Sequence, residues 1–134
     1  MVAEERILTM IRRSKKYVFE RKNFYGVASY SHVGRCLTRL VLKGQLMKIG
    51  YGLYTKARIN SLTGELMPSH PGGVDGIVRE VLILKNVDFE LDKFSMLYLS
   101  GKTTQVPASF VYSWPQKQFN RKLIIAGHVI QNPK

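Results

Sequence analysis

A chain of 134 residues with 45% hydrophobic content is long enough for one domain, or for two small packed subdomains, with a buried core. No run approaches the roughly 18 apolar residues of a membrane span, the N-terminal MVAEERILTMIRR carries acids where a secretion signal carries bases, and the lone Cys36 has no disulfide partner. A soluble cytoplasmic protein is expected. The formal net charge is +12, and residues 1–58 hold thirteen bases and three acids, a net of +10, which leaves +2 for residues 59–134. A half that basic points to a polyanion, most simply nucleic acid, because phosphates release condensed counterions on binding; the alternative is a solvated surface that aids solubility.

In chain order, Ile7, Leu8, Met10 and Ile11 form an apolar stripe that predicts a helix over Ala3 to Arg13, with Glu4 and Glu5 in the first turn and Arg12 and Arg13 in the last, matched to the helix dipole. Tyr17-Val18-Phe19 is a short β-prone run, and Arg21 to Tyr25 is expected to be a second helix ended at Gly26. Ser29 fits the N-cap of a third helix through Lys43, with Val33, Leu37, Leu40 and Val41 on one face and Gly44 as the stop. Leu46 to Ile49 and Leu53 to Thr55 then predict a hairpin through Gly50-Tyr51-Gly52, both glycines being expected to supply positive φ. Helix, short strand, helix, helix, hairpin is the order of a winged helix-turn-helix.

The stretch ARINSLTGELMPSHPGG, residues 57–73, contains Pro68, Pro71 and three glycines. It predicts a linker, placed at 59–73, between a DNA-binding domain at 1–58 and a small α/β module at 74–134 for partner binding or self-association as a homodimer. In that module a helix is expected over Val74 to Lys85 and a shorter one over Asp92 to Leu99, followed by strands near Ser109 to Trp114, Arg121 to Ala126 and His128 to Ile130. The fold class expected is therefore α+β, a winged helix-turn-helix followed by a module with C-terminal antiparallel strands.

Catalytic chemistry needs clustered titratable groups. His32, His70 and His128 lie far apart in sequence, Cys36 has no CxxC companion, and the acidic group Asp88, Glu90 and Asp92 reads as a surface loop without partner acids. Gly72-Gly73 reads as a hinge. No enzyme activity, metal or cofactor is expected.

In a winged helix the third helix enters the major groove while the wing follows the backbone. Arg35 and Arg39, one turn apart, are then placed to reach base edges or flanking phosphates, where the arginine fork can grip guanine bidentately. Tyr30, Ser31 and Thr38 supply shorter hydrogen bonds, and His32 is a surface residue at the start of that helix. Lys43, Lys48, Lys56 and Arg58 can follow phosphates as point charges. Tyr51, at the hairpin tip, could enter a minor groove or fold back onto its own strands.

SYSHVGRCLTRLVLKGQLMKIGYGLYTKAR, residues 29–58, resembles the winged-helix segment of the AbiEi-type antitoxin and transcriptional-regulator family, part of the abortive-infection, type IV toxin-antitoxin systems. The family pattern LxRLxxKGxLxxIxxGxY falls on Leu37, Arg39, Leu40, Lys43, Gly44, Leu46, Ile49, Gly52 and Tyr54. YVFERKNF, 17–24, is similar to the family's preceding strand and second helix, and LYLSGKTTQVPASFVYSW, 97–114, to a GLSTQVPxxxxY segment of a related branch. The resemblance implies a bacterial regulator that binds double-stranded DNA at its own promoter as a repressor and, in two-gene systems, opposes a nucleotidyltransferase-like toxin. Family members continue beyond the strand at Gly127 to Ile130, which bears on antitoxic activity and not on DNA binding. The alternative is a protein-interaction antitoxin module that binds its toxin and binds DNA weakly.

Overall fold

A computed structural model describes residues 2–91, 96, 100–102, 112–115, 118–119 and 121–130. Helix α1, Ala3–Arg13, buries Ile7 and Ile11 and ends where Ser14 turns extended. Strand β1, Val18–Glu20, follows and leads into the expected second helix, a 3-10 helix over Arg21–Phe24 capped by Tyr25. Both Glu20, just before that segment, and Phe24, at its end, are buried, and so short a span between them allows one turn only. That turn is capped reciprocally, with the Asn23 side-chain oxygen accepting from the Glu20 amide at 2.8 Å and the Glu20 carboxylate accepting from the Asn23 amide.

Helix α2, Tyr30–Leu42, starts as the sequence predicts, the Ser29 hydroxyl accepting from the His32 amide at 3.2 Å. Its inward face is Val33, Cys36, Leu37 and Leu40, so Cys36 is a core residue, while Val41 lies half-buried at the edge. The helix ends in a Schellman motif: Gly44 at φ +76° donates to the Val41 carbonyl at 3.0 Å, and Gln45 donates to that of Leu40 at 2.9 Å.

Strands β2, Leu46–Gly50, and β3, Leu53–Ile59, form the expected hairpin, with Lys48 opposite Tyr54 and a register shift before Gly50 pairs with Leu53. Only one of its two glycines has the expected backbone. Gly52 takes φ +67°, whereas Gly50 does not enter the left-handed region; a Cβ there would lie 3.1 Å from the Leu123 side chain, so the lack of a side chain serves close packing.

The stretch expected as a linker contains a paired strand. β3 runs on to Ile59, and β4, Leu66–Pro68, pairs antiparallel with it beyond the end of β1. The Asn60 side chain closes the intervening turn, accepting from the amides of Leu62 at 2.8 Å and Thr63 at 3.2 Å. Helix α3, Gly73–Leu84, comes next, followed by β5, Glu90–Leu91, paired with β6, Tyr112–Ser113, and by the hairpin of β7, Leu123–Ile125, with β8, His128–Ile130. Glu90, expected in a surface loop, thus sits in a two-residue strand, while Asp88 is exposed. The helix expected over Asp92 to Leu99 and the strand from Ser109 to Val111 lie outside the described residues, Met96 excepted.

The β1-β3-β2 sheet is covered on both faces. On one, Phe19, Leu46 and Tyr54 pack with Ile7, Ile11, Phe24, Val33, Leu37 and Leu40 of the helical layer. On the other, Val18, Met47, Ile49 and Leu53 pack with Ile77, Val78, Val81 and Leu82 of α3 and with Trp114, Phe119, Leu123 and Ile125. Burial on both faces explains why consecutive residues, Val18 and Phe19 in β1 and Leu46 and Met47 in β2, are both apolar and buried. The fold is α+β, with helices α1, α2 and α3 and antiparallel sheets among the described residues. Among the described residues no helix is long and apolar enough to cross a membrane.

Residues from the two halves of the sequence also meet through polar contacts. Glu80 of α3 accepts from the amides of Tyr17 at 3.0 Å and Val18 at 2.6 Å, covering the open edge of β1. At the other end, Arg121 donates to the Tyr51 carbonyl at 3.2 Å.

Candidate nucleic-acid interface

Because Val33, Cys36, Leu37 and Leu40 are fixed in the core, helical spacing turns Ser31, Arg35, Thr38, Arg39 and Leu42 outward, all of them exposed. Arg35 and Arg39 lie one turn apart on this face, as the sequence predicts. The Thr38 hydroxyl donates to the Gly34 carbonyl at 3.0 Å within the helix, and His32 is half-buried.

Two of the expected cations are already paired. Glu4 of α1 lies 2.5 Å from the Lys43 ammonium and 3.8 Å from the Arg39 guanidinium, so the C-terminal half of α2 is partly neutralised. Sequence spacing carries no sign of this contact, which exists only because α1 packs along α2.

On the hairpin, alternation places Lys48, Tyr54, Lys56 and Arg58 on the face that the helices cover. Lys48 and Arg58 are exposed. Lys56 is not free: it is half-buried, donates to the Ser14 carbonyl at 2.7 Å and lies 4.9 Å from the centroid of the Tyr17 ring, tying α1 to the sheet. Tyr51 projects from the turn with 76% of its surface exposed and does not fold back.

Tyr30 opens α2, and Arg21 from the 3-10 helix lies over its ring, 3.7 Å from the centroid, while donating to its carbonyl at 2.7 Å. Gly34 permits this, since a Cβ there would fall 2.5 Å from the guanidinium. Arg21 also acts on Tyr54: burial raises the pKa of that hydroxyl and the nearby guanidinium works against the rise. Between the 3-10 helix, the start of α2 and the hairpin turn lies an open cleft of about 270 Å³. Its walls add Arg21, Lys22, Tyr25, Lys85 and Arg121 to the residues expected from sequence. ERKNFY carried a local hint of the first three, whereas Lys85 and Arg121 arrive only through tertiary contact.

Among the described residues no group of three or more His, Cys, Asp or Glu side chains is placed to hold a metal ion. A model described as a family of unknown function, DUF6088, matches residues 6–123. The chain belongs to the DUF6088 family. The match runs from α1 to the first residue of β7, so the DUF6088 unit includes both layers that cover the sheet. No curated protein and no solved structure matches this DUF6088 chain.

Proposed function

We propose that this protein is a sequence-specific double-stranded DNA-binding regulator of the winged helix-turn-helix type, with α2 as the reading helix and β2–β3 as the wing. The observation that carries the reading is the outward face of α2: it presents Ser31, Arg35, Thr38 and Arg39, and the hairpin beside it presents Lys48 and Tyr51. Arg35, outside the ion pairs to Glu4, is the main candidate for reading bases, with Arg39 joining it if DNA displaces Glu4. Lys48 and Arg58 serve as phosphate contacts, and Lys56 holds the scaffold.

Binding at its own promoter would repress by occlusion, the role of an autoregulating antitoxin-like repressor acting in the cytoplasm without catalysis. A fluorescence-anisotropy titration of the native upstream duplex against a scrambled duplex tests this at several salt concentrations. Preference for the native site supports the proposal, and equal affinity at every salt concentration refutes it. Arg35→Ala and Arg39→Ala should each lose roughly 1–3 kcal/mol of discrimination between sites, whereas Lys48→Ala should weaken all duplexes alike and flatten the salt dependence by about one phosphate.

A second reading is a protein-interaction antitoxin whose partner is a nucleotidyltransferase-like toxin or another copy of the chain. What favours it is an outward apolar pair on the C-terminal hairpin, Ile124 and Val129, which face each other across the strands and are 48% and 55% exposed. Co-purification with the product of the adjacent gene, lost in Ile124→Asp, would support this role.

A further inference from the structure

The cleft beside the hairpin turn gathers five cationic side chains against one carboxylate, a formal excess of +4, together with four tyrosines. The carboxylate, Glu20, is 7% exposed and already engaged by Lys85, with Lys22 at 3.7 Å. Arg21 is likewise fixed, between the Tyr30 ring and carbonyl. These groups build the wall. Lys48 has no ion pair among the described residues, Lys22 keeps 65% of its side chain exposed, and Arg121 is held beside the turn by its bond to the Tyr51 carbonyl. Positive charge therefore concentrates at the mouth without an internal anion to match it.

The aromatic rings point to more than an anion. One face of Tyr30 is covered by Arg21, but Tyr25 and Tyr51 remain 45% and 76% exposed on the lining of the same cleft. Exposed aromatic faces next to solvated cations are the elements that bind a base by stacking and its phosphate by charge. At about 270 Å³ the open cleft lies below the roughly 300–1,000 Å³ of pockets that bury drug-sized ligands, a size that suits one nucleotide unit with the rest of any strand outside it.

We propose that this cleft binds one nucleoside 5′-phosphate unit, the base stacked on Tyr51 and Tyr25 and the phosphate held by Lys48, Lys22 and Arg121. The unit can come from a free mononucleotide or from an unpaired nucleotide at a strand end, which share this chemistry. Arg35 and Arg39 do not line the cleft, so substituting Arg35 separates base reading on the duplex from nucleotide binding, while Lys48 and Tyr51 serve both surfaces.

Isothermal titration of the full chain with nucleoside 5′-monophosphates tests the proposal, with the matching nucleosides, ribose 5-phosphate, inorganic phosphate and a 5′-phosphorylated single-stranded trinucleotide as further arms. Saturable binding of a monophosphate at least about tenfold tighter than that of its nucleoside and of ribose 5-phosphate is expected, because base and phosphate contribute together. Tyr51→Ala and Lys48→Ala, both at exposed side chains, should each weaken it by about fivefold or more, with Arg35→Ala unchanged. Tighter binding of the mononucleotide assigns the free ligand, and tighter binding of the trinucleotide assigns the strand end. Inorganic phosphate or ribose 5-phosphate binding as well as the monophosphate, no saturable binding, or indifference to Tyr51→Ala would overturn the proposal. Duplex preference lost in Arg35→Ala with nucleotide binding intact would show the two sites to be distinct, and nucleotide binding without any duplex preference would leave the cleft standing alone.

Discussion

Glu4→Gln is expected to tighten DNA binding, because the residue it changes masks two cations of α2. The carboxylate sits 2.5 Å from Lys43 and 3.8 Å from Arg39, whose side chains are otherwise 60% and 54% exposed. Each additional phosphate that a freed cation neutralises steepens the dependence of log K on log salt by about 0.9, which at roughly 0.15 M salt corresponds to about 1 kcal/mol, or about fivefold in affinity. Release of both cations therefore gives up to about 30-fold tighter binding and a slope steeper by nearly 2. The cost to stability is modest, since the cations are largely exposed although the Glu4 side chain is only 18% exposed; the pairs contribute about 1 kcal/mol, and the melting temperature should fall by about 5 °C. Anisotropy titrations at four salt concentrations, with a circular-dichroism melt of the same sample, measure both quantities. An unchanged affinity and slope in a folded Glu4→Gln protein would refute the placement of the C-terminal half of α2 on DNA.

Glu80→Ala should destabilise the chain by about 2–4 kcal/mol, since it strips the Tyr17 and Val18 amides of their charged acceptor at the edge of β1. The expected fall in melting temperature is roughly 8–16 °C, and a loss below about 0.5 kcal/mol in a denaturant titration would contradict it. Tyr54 governs part of the alkaline limb. Its hydroxyl holds its proton to higher pH in the folded chain than in the unfolded one, so the associated stability is complete below the ordinary tyrosine value of about 10 and declines as pH rises through the folded pKa. Tyr54→Phe should flatten stability against pH above about 10, and coincident alkaline limbs for the two proteins would argue against that burial effect.

Much of the N-terminal layer was legible in the residues, because its signals are local. The Ser29 cap, the buried spacing of Val33, Leu37 and Leu40 and the stop at Gly44 each act within a few residues, and all three appear as expected. The same holds for α3 and for the β7–β8 turn, where Ala126 and Gly127 both take positive φ. The second helix also appears where expected, and its tight 3-10 form is set by the core, since few residues separate buried Glu20 from buried Phe24.

The remainder depended on segments distant in sequence. Pro68 and three glycines suggested a linker, but pairing with the end of β3 turned Leu66–Pro68 into a strand. Gly50 looked like a turn glycine until Leu123 packed against it, and Lys56 looked like a phosphate contact until the end of α1 supplied an acceptor. Sequence alone determined which faces of the helices are apolar and that positive charge is concentrated in residues 1–58, since both follow from residue type and spacing. Tertiary structure decided which of those charges remain available: Glu4 reaches Arg39 and Lys43, while Arg121 joins the hairpin turn, because long-range packing sets the neighbours of a side chain and no local pattern encodes them.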